Sequence, residues 1–117
     1  MMFNDGLKHR FLIFSRKMLQ LCRTLPKQYE CETIRKQLAG SATSIGANYE
    51  EADGTVTKKD FLNKIVISRK EAKETIYWLK IVSGIYFPEK QIEPHIRECS
   101  EFIRMLSSII NKVQAKL

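Results

Sequence analysis

Residues 38–54 read LAGSATSIGANYEEADG, and the pattern through this stretch limits what the chain can fold into. Sorted at about 100° per residue, Cys31, Ile34, Leu38, Ala42, Ile45, Tyr49 and Ala52 fall on one face, with Ser41 at its edge. A stripe at three- and four-residue steps is the buried side of an amphipathic helix. The other side carries Gly40, Thr43 and Ala47, flanked by Ala39, Ser44 and Gly46. A glycine inside a helix costs about 1 kcal/mol relative to alanine, so close approach by a neighbouring backbone is expected there. Asp53-Gly54 marks a turn, with Gly54 suited to a left-handed C-terminal cap. Thr57 followed by Asp60 resembles a capping box, which predicts that the next helix begins near Lys58. So short a connection makes the two arms antiparallel neighbours.

The second arm has a core stripe of Phe61, Leu62, Ile65, Ser68, Ala72, Ile76, Leu79 and Ser83. Nearly opposite lie Ile67, Trp78, Ile81 and Ile85, interspersed with Glu71 and Glu74. A helix apolar on two sides needs two partners. In a chain of 117 residues the second is expected to be another subunit, with Trp78 as anchor. Gly40, Ala47, Ile67, Trp78, Ile81 and Ile85 are the expected oligomer interface. Pairing residue 52 with about residue 59 sets Arg35 within a turn of Glu74. A structural polar cluster follows: an Arg35–Glu74 ion pair, with Glu71 reaching Asn48 or Lys70.

The flanking segments read as helices too. Leu7, Phe11, Phe14, Met18, Leu21 and Leu25 form a heptad-like seam that Pro26 ends. The second helix is expected to start between Tyr29 and Glu32, and the third to end around Gly84 to Phe87. Pro88-Glu89 then opens a fourth helix with Ile92, Ile96, Cys99, Ile103, Leu106, Ile110, Val113 and Leu117 on one face. The fold class is all-α, an antiparallel up-down-up-down four-helix bundle, as one domain over residues 1–117.

Several kinds of chemistry lack their residues. A di-iron site in a bundle needs two Glu-x-x-His motifs, but Gly6 and Ile92 stand three positions before His9 and His95. Ser41, Thr43 and Ser44 have no nearby histidine as base, and no glycine-rich phosphate loop or nucleophile elbow occurs. No catalytic residue, metal or cofactor is expected, and the chain reads as a non-enzyme. The 3 cysteines, Cys22, Cys31 and Cys99, fit no metal or redox spacing. Buried free thiols and a cytoplasmic location are expected from them. No apolar run is long enough to span a membrane.

Charge is the remaining signal. The net charge is +7, from 20 basic and 13 acidic residues. Residues 1–27 hold 6 basic and 1 acidic and residues 55–87 hold 7 and 3, against 2 and 5 in residues 28–54. The first and third helices therefore concentrate the positive field, which suits a polyanion. The candidate nucleic-acid-binding residues are Lys8, Arg10, Arg16, Lys17, Lys58, Lys59, Lys64, Arg69, Lys70 and Lys73. Phosphate contacts by such residues are sequence-independent and weaken with salt.

A family resemblance adds to this. Ser44-Ile45-x-Ala47-Asn48-x-x-Glu51-Ala52 follows a helix carrying Arg35, and Phe61 and Ser68-x-x-Glu71-x-x-Glu74-Thr75 come after it. That ordered combination resembles the 23S rRNA intervening-sequence proteins, most strongly over residues 34–83. The resemblance implies a small four-helix bundle, often a ring-shaped homopentamer, without a settled biochemical function. A related branch, the accessory proteins of diversity-generating retroelements, looks like basic pentameric barrels that bind a reverse transcriptase and nucleic acid. Gly46, where proline is frequent, and Arg69-Lys70 before Glu71 depart from the pattern. The expected function is a non-enzymatic oligomeric accessory protein that binds RNA or DNA through its basic surface. The alternative is an adaptor ring for a polymerase such as a reverse transcriptase, without direct nucleic-acid readout.

Overall fold

Thr57 accepts a hydrogen bond from the backbone N–H of Asp60 at 3.0 Å, and the helix it caps runs from Lys58 to Val82. The computed structural model describes residues 5–116. In chain order the helices are α1 (Asp5–Arg23), α2 (Tyr29–Asp53), α3 (Lys58–Val82) and α4 (Glu89–Gln114). Among the described residues these four are the only helices, and no strand accompanies them. Side-chain bonds fix the order and direction of packing. Lys8 meets Asp53 and Arg35 meets Cys22, so α1 and α2 are antiparallel. Ser68 meets Ile45 and Lys64 meets Glu51, so α2 and α3 are antiparallel. Arg69 on α3 reaches Ser107 on α4. The result is an up-down-up-down bundle with overall extents of 47 × 22 × 20 Å.

The predicted stripes form the core. Cys31, Leu38, Ala42, Ile45, Tyr49 and Ala52 of α2 are buried against Phe61, Ile65, Ala72 and Leu79 of α3 and Ile92, Cys99, Phe102, Leu106 and Ile110 of α4. Thr75 and Val82 join them, while Ser83 stays half-exposed. Leu117, expected on the α4 stripe, lies outside the described residues. Between α1 and α4 the contact is aromatic. Phe102 packs edge-to-face on Phe11 and Phe14, with centroids at 4.8 and 5.3 Å. Among the described residues no Cα of α1 comes within 8 Å of one of α4, whereas α1–α2, α2–α3 and α3–α4 all approach that closely.

Among the described residues three polar residues, Ser41, Ser68 and Thr75, are buried and all are bonded. Ser68 Oγ donates to Ile45 O at 2.7 Å. Thr75 Oγ1 lies 2.9 Å from Ser41 Oγ, and Ser41 reaches Leu38 O. These bonds cross from α2 to α3 and lock the register, since a slip would strand buried hydroxyls without partners. The register places 45 against 68 and 41 against 75. It differs by about one turn from the expected pairing of 52 with 59.

Helix ends hold two differences from expectation. Gly54 is not left-handed: its φ is −91°, and the end of α2 is closed by Gly54 N–H to Glu51 O and by Thr55 Oγ1 to Ala52 O at 2.7 Å. The left-handed glycine is Gly84, φ 80°, whose N–H bonds Phe87 O at 2.7 Å. With α3 ending at Val82, Ile85 belongs to the turn before α4 and not to a face of α3. Pro88 stands just before α4, and Pro94 is accommodated in its second turn. A proline there removes one helical N–H and leaves the core stripe in phase.

Candidate nucleic-acid interface

The ten basic candidates divide by what they touch. Lys8 Nζ lies 2.9 Å from Asp53 Oδ2 and 3.6 Å from Glu50 Oε1. Arg10 bonds Glu101 at 2.8 Å and Glu98 at 3.4 Å, and its guanidinium stands 5.0 Å above the Phe102 ring. The hydrogen bond to Glu101 raises the Arg10 pKa against the opposing effect of burial. Lys17 lies 4.0 Å from Glu98, Lys64 is 2.7 Å from Glu51, and Arg69 donates to Ser107 Oγ at 3.1 Å. These five residues are engaged in tying helices together. Arg16 lies beside the groove between α1 and α2.

Lys58, Lys59, Lys70 and Lys73 are exposed and, among the described residues, have no carboxylate within 4.0 Å. Three of them lie on one outward stripe of α3. At helical spacing Lys59, Asn63, Val66, Lys70, Lys73, Tyr77 and Lys80 share a face, and all seven are exposed. At helical spacing Asp60 and Glu71 lie about 100–120° round the helix from Tyr77, and Glu74 about 60°. Lys80 and Tyr77 were missing from the candidates. Their signal was present, since they follow Lys73 by seven and four residues and continue its face.

The polar cluster does not assemble as expected. Arg35 does not pair with Glu74. Its guanidinium turns toward α1 and donates to Cys22 O at 3.2 Å, Leu25 O at 3.1 Å, Pro26 O at 3.4 Å and Cys31 O at 3.2 Å. The one-turn difference in register carries Glu74 away, and the open carbonyls at the end of α1 attract the cation. Asn48 Nδ2 donates to Ser44 O of its own helix at 2.8 Å, and Glu74 accepts from Trp78 Nε1 at 3.2 Å. Glu71 has no ion-pair partner among the described residues. Burial, then the neighbouring Glu74 charge, push its pKa above the ordinary value.

Of the expected interface residues, Gly40 and Ala47 are exposed on the outer face of α2. Trp78 and Ile81 are half-buried and pack on their own core, Ile67 is half-buried, and Ile85 is 71% exposed. A further open apolar surface lies on α1. Leu12 and Leu19 of α1, 57% and 43% exposed, line a groove of about 380 Å³ with Thr43, Gly46 and Ala47 of α2. Among the described residues no helix is long and apolar enough to cross a membrane.

The comparisons with known proteins agree with one another. A crystal structure of a protein with unknown function from the S23 ribosomal protein family of Bacteroides thetaiotaomicron VPI-5482 is 36% identical. It superposes with a TM-score of 0.81 over 88% of this chain and 96% of that one. Among curated proteins nothing matches. The family described as 23S rRNA-intervening sequence protein matches residues 9–108. That span takes in α2 and α3 whole and most of α1 and α4, so the chain belongs to the 23S rRNA-intervening sequence protein family.

Proposed function

We propose that the protein is a non-enzymatic, oligomeric accessory protein that holds nucleic acid electrostatically along the outer face of α3. One observation carries this reading. Lys59, Lys70, Lys73 and Lys80 share an exposed face and, among the described residues, have no carboxylate within 4.0 Å, whereas Lys8, Arg10, Lys17 and Lys64 are ion-paired to other helices. Unpaired cations in a row of about 32 Å can displace the counterions of a phosphate backbone. Assembly of several copies multiplies the stripe, and the α1–α2 groove with Leu12 and Leu19 suits a contact with a second copy. A homopentamer is the assembly expected from the family resemblance. Three buried free thiols suit a reducing, cytoplasmic compartment.

Binding of RNA or DNA should weaken steeply with salt, with a logarithmic slope of about −3 for four lysines. Lys70→Ala with Lys73→Ala should flatten that slope and lower affinity at low salt. Binding that is absent at low salt, or indifferent to salt, rejects the reading.

A second reading is an adaptor ring for a polymerase such as a reverse transcriptase, as in the retroelement accessory branch. The exposed Leu12 and Leu19 favour it, because an apolar groove fits a protein better than a phosphate chain. Retention of one specific partner from nuclease-treated extract, lost on Leu12→Glu, selects this reading.

A further inference from the structure

Tyr77 is the aromatic residue among the seven on the outer face of α3, and phosphate binding leaves it without a use. Its side chain is 59% exposed. It follows Lys73 by four residues and precedes Lys80 by three, so a lysine lies one turn away on either side. The Trp78 ring braces it, with centroids 5.4 Å apart and planes at 74°. Trp78 is itself held by its bond to Glu74 and by packing on the core. Glu74, the carboxylate one turn away, is thereby engaged by the indole. An exposed aromatic ring held edge-to-face by its neighbour, with a lysine one turn away on either side, is a stacking platform between two phosphate-binding groups.

Building on the α3 reading, we infer that this face prefers single-stranded nucleic acid, with Tyr77 stacking on an unpaired base while Lys73 and Lys80 hold phosphates to either side. A closed duplex keeps its bases stacked on one another and presents only its backbone to a helix face. In a single strand every base has a free π-face, and stacking on an aromatic side chain tolerates any sequence. The two lysines are separated by about 10 Å along the helix axis, with the ring between them. The contact uses no 2′-hydroxyl, so RNA and DNA strands are bound through the same chemistry.

The test compares four ligands at one low salt concentration: a uridine oligomer, a thymidine oligomer, an abasic strand of equal length and a duplex. The intact protein should bind the two base-bearing strands more tightly than the abasic strand and the duplex. Tyr77→Ala should weaken both base-bearing strands about fivefold or more and leave the other two unchanged. Tyr77→Phe keeps the ring and should keep the affinity. Because Tyr77 is exposed, helical circular dichroism should be unaltered in both variants. Equal weakening of all four ligands by Tyr77→Ala, or of none, overturns the inference. The Lys70→Ala, Lys73→Ala double variant separates this from the reading beneath it. If that variant weakens nothing, the α3 site itself falls. If it weakens all four ligands while Tyr77→Ala weakens none, the α3 site stands and stacking is overturned.

Discussion

Phe11 of α1 presses on the backbone of α2 at Gly46: a Cβ added there would stand 2.9 Å from the Phe11 Cβ. The atom it would meet is at the root of the Phe11 side chain, next to the α1 backbone, so α1 itself would have to move. Gly40, six residues earlier, has nothing within 4 Å of such a Cβ. The two glycines therefore predict opposite outcomes. Gly46→Ala should lower stability by about 1 kcal/mol, since overpacking outweighs the gain in helix propensity. Gly40→Ala should raise it by about 0.5–1 kcal/mol. Urea unfolding of the two variants checks both signs at once.

Arg35 gathers four backbone carbonyls around the α1–α2 connection. Truncation leaves those acceptors without a charged donor and removes a cation from a helix C-terminus. Arg35→Ala should cost about 1–2 kcal/mol. Arg35→Lys should recover less than half of this, because an ammonium cannot fork to carbonyls on both sides. Hydrogen exchange should show the loss concentrated around residues 22–31.

Glu71 carries a pH signature. Its pKa is raised in the folded bundle by burial and by Glu74, against a smaller lowering by Lys70. The folded state therefore holds its proton more tightly than the unfolded chain. Stability from this group is present at low pH and is lost as pH rises from the ordinary value of 4.5 through the raised one. Glu71→Gln should melt at a higher temperature than the parent at pH 7, and the gap should close on acidification. A variant that melts lower at pH 7 would mean that the carboxylate has a cationic partner.

The thiols give a direct check on packing. Cys22, Cys31 and Cys99 are all buried. Burial raises the pKa of Cys99 strongly and that of Cys22 as well, the latter partly offset by Arg35. A disulfide-exchange reagent at pH 8 should find no fast-reacting thiol in the native protein and three after denaturation. Arg35→Ala, by loosening the α1–α2 connection that its guanidinium ties to Cys22 O, should expose the Cys22 thiol first, and that exposure outweighs the loss of the charge that lowers its pKa.

The periodicity of single helices was readable from the residues, because burial of an apolar stripe dominates each one. Leu38, Ile45, Tyr49, Ile65, Leu79 and Leu106 lie where their spacing placed them. The relation between helices was less readable. The α2–α3 register rests on Ser68 and on the Ser41–Thr75 contact, small hydroxyls whose partners lie more than twenty residues away in the chain. Without that register, Arg35 could be aimed at Glu74 when its true partners are carbonyls, which every residue carries and no pattern reveals. The basic surface shows the same limit. Which lysines are neutralised depends on carboxylates of other helices, so Lys64 and Lys70 look alike in the sequence and differ in the fold.

The aromatic layer between α1 and α4 makes the bundle resemble a folded sheet of card whose two outer edges are pinned and not glued. Backbones abut along three creases; along the fourth, Phe11 and Phe14 packed on Phe102 and the ion pairs of Arg10 and Lys17 join the edges without a close backbone approach among the described residues. Opening that edge would bare Phe11, Phe14 and Phe102, all buried, so what keeps it shut is side-chain packing and not backbone contact.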